Sequence, residues 1–372
     1  MRLRGWLVAS AVGIVGLLAL AVGTVCVTSG CSSLGYLAQS AAGHLHIVNS
    51  ARPVDDWIAD PATSEALRTR LELAKRMREF AVTALKLPDN DSYRRFTDLK
   101  RPAAVWNVAA APELSLRLET WCYPVVGCVG YRGYYAQADA DAEAAALRAR
   151  GLETTVYPVP AYSTLGKMEW LGGDPLLSTF IQWPESELAR LIFHELAHQV
   201  AYAPGDSMFN ESFATAVERL GGERWMAAEG SPGGRTLAAA IEQRRRDFRG
   251  ITQDARRALD ALYHSAASDE AKRAGKAEIM ARLRAGHAAL KAGPWGGFAG
   301  YDAFFANANN ASLGMQAVYL DWVPAFSALF EREGSDFERF YAEVRRLAGL
   351  PRAERDATLR GLTPPAPDHP TN

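Results

Sequence analysis

The sequence predicts a mainly α-helical α+β fold with one small sheet, and three observations carry that reading. Apolar residues recur at helical spacing over residues 64–87 and 185–202. Long charged, alanine-rich stretches over 138–150 and 236–291 favour helix and lack strand alternation. Runs of β-branched and aromatic residues are short and fall between positions 103 and 159, ahead of the most strongly patterned helix.

Taken in order, residues 34–49 read as a helix with His44 and His46 near its end. Two apart, those imidazoles leave a helix on different faces and do not make a metal pair. Ser64 is the expected N-cap of the helix over 64–87. Strands are expected at 103–109, 131–135 and 154–159, with Gly151 closing the helix over 138–150. The helix over 185–202 follows Pro184 and is ended by Pro204-Gly205. A second helix opens at Asn210 and is expected to stop at Gly221-Gly222. Residues 236–291 should form an antiparallel pair turning near 265–269, and a last helical group covers 312–347. No internal repeat or linker divides residues 31–363, which read as one domain; the proline-rich residues 364–372 read as a disordered tail.

A net charge of −1 over 372 residues leaves no basic field for nucleic acid. Arg244-Arg245-Arg246 lies in a charged helical stretch and reads as a solvated face, with a phosphate-binding patch as the alternative. The N-terminus is distinctive: Arg2 and Arg4 precede an apolar run over 6–27, the pattern of an export signal, with an uncleaved membrane anchor as the rival. Thr28-Ser29-Gly30-Cys31-Ser32-Ser33 resembles the lipobox of bacterial lipoproteins. The resemblance implies that residues 1–30 are a signal peptide cut before Cys31. Cys31 would then carry several acyl chains, enough for stable membrane anchoring. Ser32 in place of Asp implies the periplasmic side of the outer membrane of a Gram-negative-type cell. With Cys26 lost and Cys31 lipidated, Cys122 and Cys128 remain as an even pair in an oxidising compartment, and a disulfide is expected. A Cys-only metal site is short of ligands.

The chemistry centres on His194-Glu195-Leu196-Ala197-His198, an H-E-x-x-H motif inside a predicted helix. Residues four apart share a face one turn apart, so both imidazoles can reach one Zn2+ ion. Glu195 projects close to that face and can take a proton from water that zinc acidifies to a pKa of about 7. Leu191, Ile192, Phe193 and Val200 give the helix an apolar face to bury. Catalytic zinc wants a third protein ligand and one open position. Asn210-Glu211-Ser212-Phe213-Ala214 opens the next helix, and an Asn-Glu pair there resembles the gluzincins, zincin-like metallopeptidases that include thermolysin and the neutral aminopeptidases. The resemblance implies Glu211 as third ligand, although only 12 residues separate it from His198, fewer than in the larger families. Glu218 stands at the thermolysin-like separation and is the alternative ligand, or else a partner orienting a histidine.

Four further segments, Cys31-Ser32-Ser33-Leu34-Gly35-Tyr36, Trp121 to Cys128, Ala161-Tyr162-Ser163-Thr164-Leu165-Gly166 and His194 to Gln199, are together similar to a bacterial lipoprotein family known as predicted aminopeptidases. Gly166-Lys167-Met168-Glu169-Trp170 resembles the Gly-x-Met-Glu-Asn motif of neutral aminopeptidases, which implies that Glu169 holds the substrate's α-ammonium; Trp170 departs from the motif, and a solvated loop glutamate is the alternative. Residues 156–164 occupy the place where gluzincins bind peptide along a strand edge. Tyr319 is the candidate donor to the tetrahedral oxyanion, with Tyr263, His264 and Tyr301 behind it, and Asn309-Asn310 can meet substrate backbone; each of these can equally be a core or capping residue. The function expected is a one-zinc aminopeptidase acting on peptides. The alternatives are a zinc endopeptidase and a structural or chaperone-like lipoprotein whose zinc clamps two helices.

Overall fold

A computed structural model of the protein describes residues 31–123, 127–161, 173–316 and 322–362. The expected signal peptide, Glu169, Tyr319 and the 364–372 tail lie outside the described residues. Among the described residues no helix is long and apolar enough to cross a membrane.

Helix α1 (Cys31–Asn49) leads through β1 (Arg52–Pro53) and α2 (Val54–Ala59) to α3 (Glu65–Thr83). The Ser64 side chain caps α3 by accepting from the Leu67 N–H, as its hydroxyl and position require. Leu71, Ala74, Met77 and Ala81, three or four apart, fill the buried face. The strands β2 (Arg95–Thr97), β3 (Val105–Pro112), β4 (Trp121–Tyr123), β5 (Gly127–Val129) and β6 (Arg132–Tyr134) precede α4 (Gln137–Ala149), and β7 (Leu152–Val159) and β8 (Leu176–Leu177) follow it. Gly151, at φ +84°, closes α4 in the left-handed conformation that glycine adopts without strain.

Where the sequence suggests one sheet, there are three among the described residues: β6-β3-β7, wholly antiparallel; β1-β2-β8; and the β4–β5 hairpin. The additional strands run two or three residues, too short to leave a period-two signal. Cys122 stands directly opposite Cys128 in the hairpin and the two form a disulfide. Residues 105–111 of the central strand are all buried, because both faces of the sheet are covered. On one face Trp106, Val108 and Ala110 pack with Ala140, Ala144 and Leu147 of α4. Tyr157 of β7, paired with Asn107, belongs to the opposite face.

The helical part begins with α5 (Glu185–Ala197) and α6 (Ser207–Ala228). Phe193, Leu196, Phe209 and Phe213 join Leu71 and Met77 in the main core. Two expectations need correction here. Helix α5 ends at Ala197 with His198 as its cap, five residues short of Tyr202: the amides of Gln199 and Val200 reach back only three residues, to Leu196 and Ala197, tightening the last turn. Gly221-Gly222 does not stop α6 but lies inside it. A Cβ on Gly221 would meet Leu85 Cδ1 at 2.7 Å and Phe193 Cδ2 at 3.0 Å, and one on Gly222 would meet Arg190 Cγ at 2.7 Å. The pair is a notch that lets α5 approach α6, and close packing overrides its poor helix propensity.

Helices α7 (Pro232–His264) and α8 (Asp269–Ala292) form the expected antiparallel pair, capped by Ser231 and Ser268. The remaining chain forms α9 (Asp302–Ala306), α10 (Asn310–Met315), α11 (Val323–Arg332), α12 (Phe337–Ala348) and an unforeseen α13 (Arg352–Leu362). The molecule is mainly helical with small sheets, as the sequence predicts.

Candidate metal centre

The α5–α6 pair builds the site. His194 lies in the last turn of α5 and His198 caps it, one turn on, so both imidazoles face the same way. The chain then reverses through Pro204-Gly205. Asn210 clamps that reversal: its Oδ1 accepts the Ala203 N–H at 2.7 Å and its Nδ2 donates to the Ala203 carbonyl at 2.9 Å. Asp206 caps α6 by accepting the Phe209 N–H at 3.1 Å, and its other oxygen takes 2.6 and 3.1 Å hydrogen bonds from buried Arg355 of α13. These ties fix the first turns of α6 and bring Glu211 against the two histidines.

His194 Nε2 and His198 Nε2 stand 3.2 Å apart. The Glu211 carboxylate lies 3.4 Å from the first and 3.8 Å from the second. Ligand atoms at 2.0–2.1 Å from one tetrahedral ion would lie about 3.3 Å from each other. The donor set is also chemically apt, since two imidazole nitrogens and a carboxylate oxygen offer lone pairs to one point. His194, His198 and Glu211 can therefore hold a metal ion.

Glu218, the alternative ligand, does something else: its Oε2 is 3.0 Å from His194 Nδ1, on the far side of the ring from Nε2. Its Oε1 accepts from Arg190 Nε at 2.9 Å and Nη2 at 2.8 Å. Burial would raise the Glu218 carboxyl, but His194 and Arg190 hold it down at about 2. Burial opposes protonation of His194 as well, yet Glu211, Glu218 and Glu195 raise it well above its ordinary value: the carboxylates call for a cation here. Burial pushes His198 down to about 4, leaving it neutral and able to offer a lone pair. Glu195 is 9 % exposed. Burial pushes its carboxyl up to about 7; His194 opposes this, while Glu211, Asp174 and Glu218 add to it.

The reserve oxyanion donors lie elsewhere. Tyr263 and Tyr301 pack in the cluster of the α7–α8 pair, and the Tyr263 hydroxyl donates to Asn310 Oδ1 at 2.9 Å. His264 is exposed at the end of α7, 2.8 Å from the Asp260 carbonyl. Asn309 and Asn310 take the capping and core roles, the first as a helix cap and the second as a buried tie to the sheet. Asn309 caps α10 and donates to the Thr154 carbonyl of β7, and wholly buried Asn310 donates to the Pro112 and Glu113 carbonyls. Three phenols that the sequence did not single out feel the charge of Glu211: Tyr131, Tyr157 and Tyr202. Burial first and Glu211 next raise all three, Tyr157 to about 12, so each remains a protonated donor. Only Tyr202, four residues after His198, carried a local spacing that could have marked it.

Fold and site thus define a mainly helical α+β protein with a His-His-Glu group able to hold one metal ion. A family model described as "Putative aminopeptidase" matches residues 35–359, and the chain belongs to that family. The family implies peptide substrates. Nothing matches among curated proteins or among solved structures.

Proposed function

We propose that this chain is a zinc-dependent aminopeptidase of gluzincin type, with His194, His198 and Glu211 as ligands and Glu195 as general base. The observation that carries the reading is the convergence of those three donors, all within 4.8 Å of one another, in a member of an aminopeptidase family. Bound zinc would supply Lewis acidity, polarising the scissile carbonyl and acidifying water. Glu195, beside His194 and shielded from solvent, accepts the attacking water's proton and returns it to the leaving amine. Glu169 selects the substrate's free α-ammonium. Tyr319 donates to the developing oxyanion, a task for which the protonated phenols of Tyr131, Tyr157 and Tyr202 also qualify. Strand β7 pairs only with β3 among the described residues, and beyond Thr154, whose carbonyl Asn309 takes, its other edge suits an extended peptide.

The same reading extends to the ends of the chain. Residues 1–30 are a signal peptide, Cys31 is lipidated, and residues 31–363 form one peptidase domain followed by a disordered tail. The protein then works at the periplasmic side of the outer membrane, a compartment in which the Cys122–Cys128 disulfide persists.

The test uses purified protein beginning after Cys31 and matched peptides with free and acetylated N-termini. One zinc per chain and cleavage of the free-amine peptides alone are expected. Glu195→Gln should keep the metal and lose about 10²–10⁴-fold in rate. Equal cleavage of both peptides would make it an endopeptidase, and a Glu195→Gln protein as active as the wild type would refute the mechanism.

A further inference from the structure

We propose that Arg190 and Glu242 are positioning residues for the metal centre, bracing Glu218 so that it fixes the His194 ring. The inference rests on the reading of His194 as a zinc ligand and goes beyond it by assigning part of the zinc affinity to the α7–α8 pair.

A neutral imidazole has one N–H and one lone pair, and a carboxylate at Nδ1 puts the lone pair on Nε2. Glu218 does this for His194 at 3.0 Å. His198 has no equivalent, since its buried Nδ1 lacks a hydrogen-bond partner among the described residues. Glu218 is thus the side chain that fixes a ring of the pair through its Nδ1, and that ring is His194.

Glu218 cannot hold that pose unaided, because its side chain has three rotatable bonds. Both guanidinium contacts from Arg190 go to Oε1, at 2.9 and 2.8 Å, which leaves Oε2 to His194. The third nitrogen, Nη1, reaches out of the α5–α6 pair to Glu242 Oε2 on α7 at 2.9 Å. Glu242 is itself fixed by Arg249 at 3.0 Å, and Arg245 joins α7 to α5 through Glu187. A four-residue chain, Glu242–Arg190–Glu218–His194, thus runs from α7 to the metal face. The Arg190 and Glu218 side chains are only 13 % and 19 % exposed, so water competes weakly for these bonds.

Packing supplies an independent observation. Arg190 passes over Gly222, where a methyl group would stand 2.7 Å from Cγ and 3.4 Å from Cδ. A side chain there would push the guanidinium stem off its line, so the absence of one keeps the path to Glu218 open.

The test uses the full mature chain. Zinc dissociation constants are measured by chelator competition for the wild type, Glu242→Gln, Gly222→Ala, Glu218→Gln and the double variant Glu218→Gln/Glu242→Gln. The visible spectrum of the Co2+-loaded forms and the Tm of the metal-free forms are recorded alongside. Glu218→Gln should weaken zinc by about 10–100-fold, the range for a lost partner of a ligating histidine. Glu242→Gln and Gly222→Ala should each weaken it by about 3–10-fold, as more distant members of the same chain, with a changed cobalt spectrum. The double variant should be no weaker than Glu218→Gln alone, because Glu242 acts through Glu218.

Zinc affinity of Glu242→Gln within about twofold of the wild type would overturn the inference while leaving the zinc site standing. Fully additive losses in the double variant would overturn it too. So would weaker binding with an unchanged cobalt spectrum and a matching fall in metal-free Tm, which would assign the network to folding. A wild-type protein that binds no zinc would sink the underlying reading as well.

Discussion

Replacing Arg355 with methionine removes the guanidinium that α13 sends to the start of α6. Arg355 is 4 % exposed and Asp206 3 %, so neither charge has water to fall back on. The guanidinium gives two hydrogen bonds to Asp206 Oδ2, at 2.6 and 3.1 Å. It also donates to the Leu350 carbonyl at 3.0 Å and lies over the Phe209 ring at 5.0 Å. Removing one partner of a buried ion pair costs about 3–5 kcal/mol, because the other is left desolvated, here with only exposed Arg352 Nε at 4.0 Å as a weak replacement among the described residues. Unfolding entropy of about 2.1 cal/mol/K per residue over about 330 residues is about 0.7 kcal/mol/K, so Tm should fall by about 4–7 °C. Asp206→Asn keeps an equally good cap for α6 while removing the charge. Combined with Arg355→Met, it should cost less than the sum of the two by about 1–3 kcal/mol. Circular dichroism melts of the metal-free wild type, both single variants and the double variant measure the cycle. A Tm for Arg355→Met within about 1 °C of the wild type, or strictly additive costs, would refute the argument that this pair anchors α6.

Two further outcomes follow from the same geometry. Asn210→Ala should cost about 2–3 kcal/mol by leaving the N–H and carbonyl of Ala203 unpaired, and should weaken zinc because the turn between His198 and Glu211 loses its clamp. Unchanged melting and zinc titration would refute this. The Glu242 carboxyl is subject to opposing effects: burial raises it, but hydrogen bonds from Arg190 and Arg249 bring it below its ordinary 4.5. A depressed folded-state value means that the folded protein binds fewer protons than the unfolded chain. Its stabilisation is therefore present above the ordinary value and lost as pH falls through the folded one. As pH falls below about 4.5 the wild-type Tm should fall more steeply than that of Glu242→Gln, and parallel curves would contradict the sign.

Much of the local architecture was legible because it depends on neighbours in sequence. The Ser64 cap, the turn between α7 and α8, the Gly151 stop and the Cys122–Cys128 pair each need only a few consecutive residues to specify them. H-E-x-x-H belongs with these, since a four-residue spacing aligns His194 and His198 whatever the rest of the chain does. The turn that follows the early end of α5, by contrast, is held by the Asn210 clamp on Ala203, seven residues away and beyond any capping pattern. Asn309 and Asn310 read equally as substrate, core or cap residues, and the sheet carbonyls of Pro112, Glu113 and Thr154 that accept their hydrogen bonds lie more than 150 residues earlier.

By itself the sequence determined the helical class, the histidine pair with its glutamate, and a short list of acidic residues able to complete a metal site, because side-chain periodicity and local spacing are properties of the chain. The Asn-Glu resemblance already favours Glu211 over Glu218, and the tertiary structure supplies the geometry, grouping Glu211 with the two histidines. Glu211 and Glu218 lie two turns apart on one helix, and periodicity treats them alike. The Gly221-Gly222 notch sets how closely α5 meets α6, and that approach puts Glu211 against Nε2 of His194 and Glu218 against Nδ1. The difference between a ligand position and its support is the distance between two packed helices, a quantity that no stretch of sequence encodes.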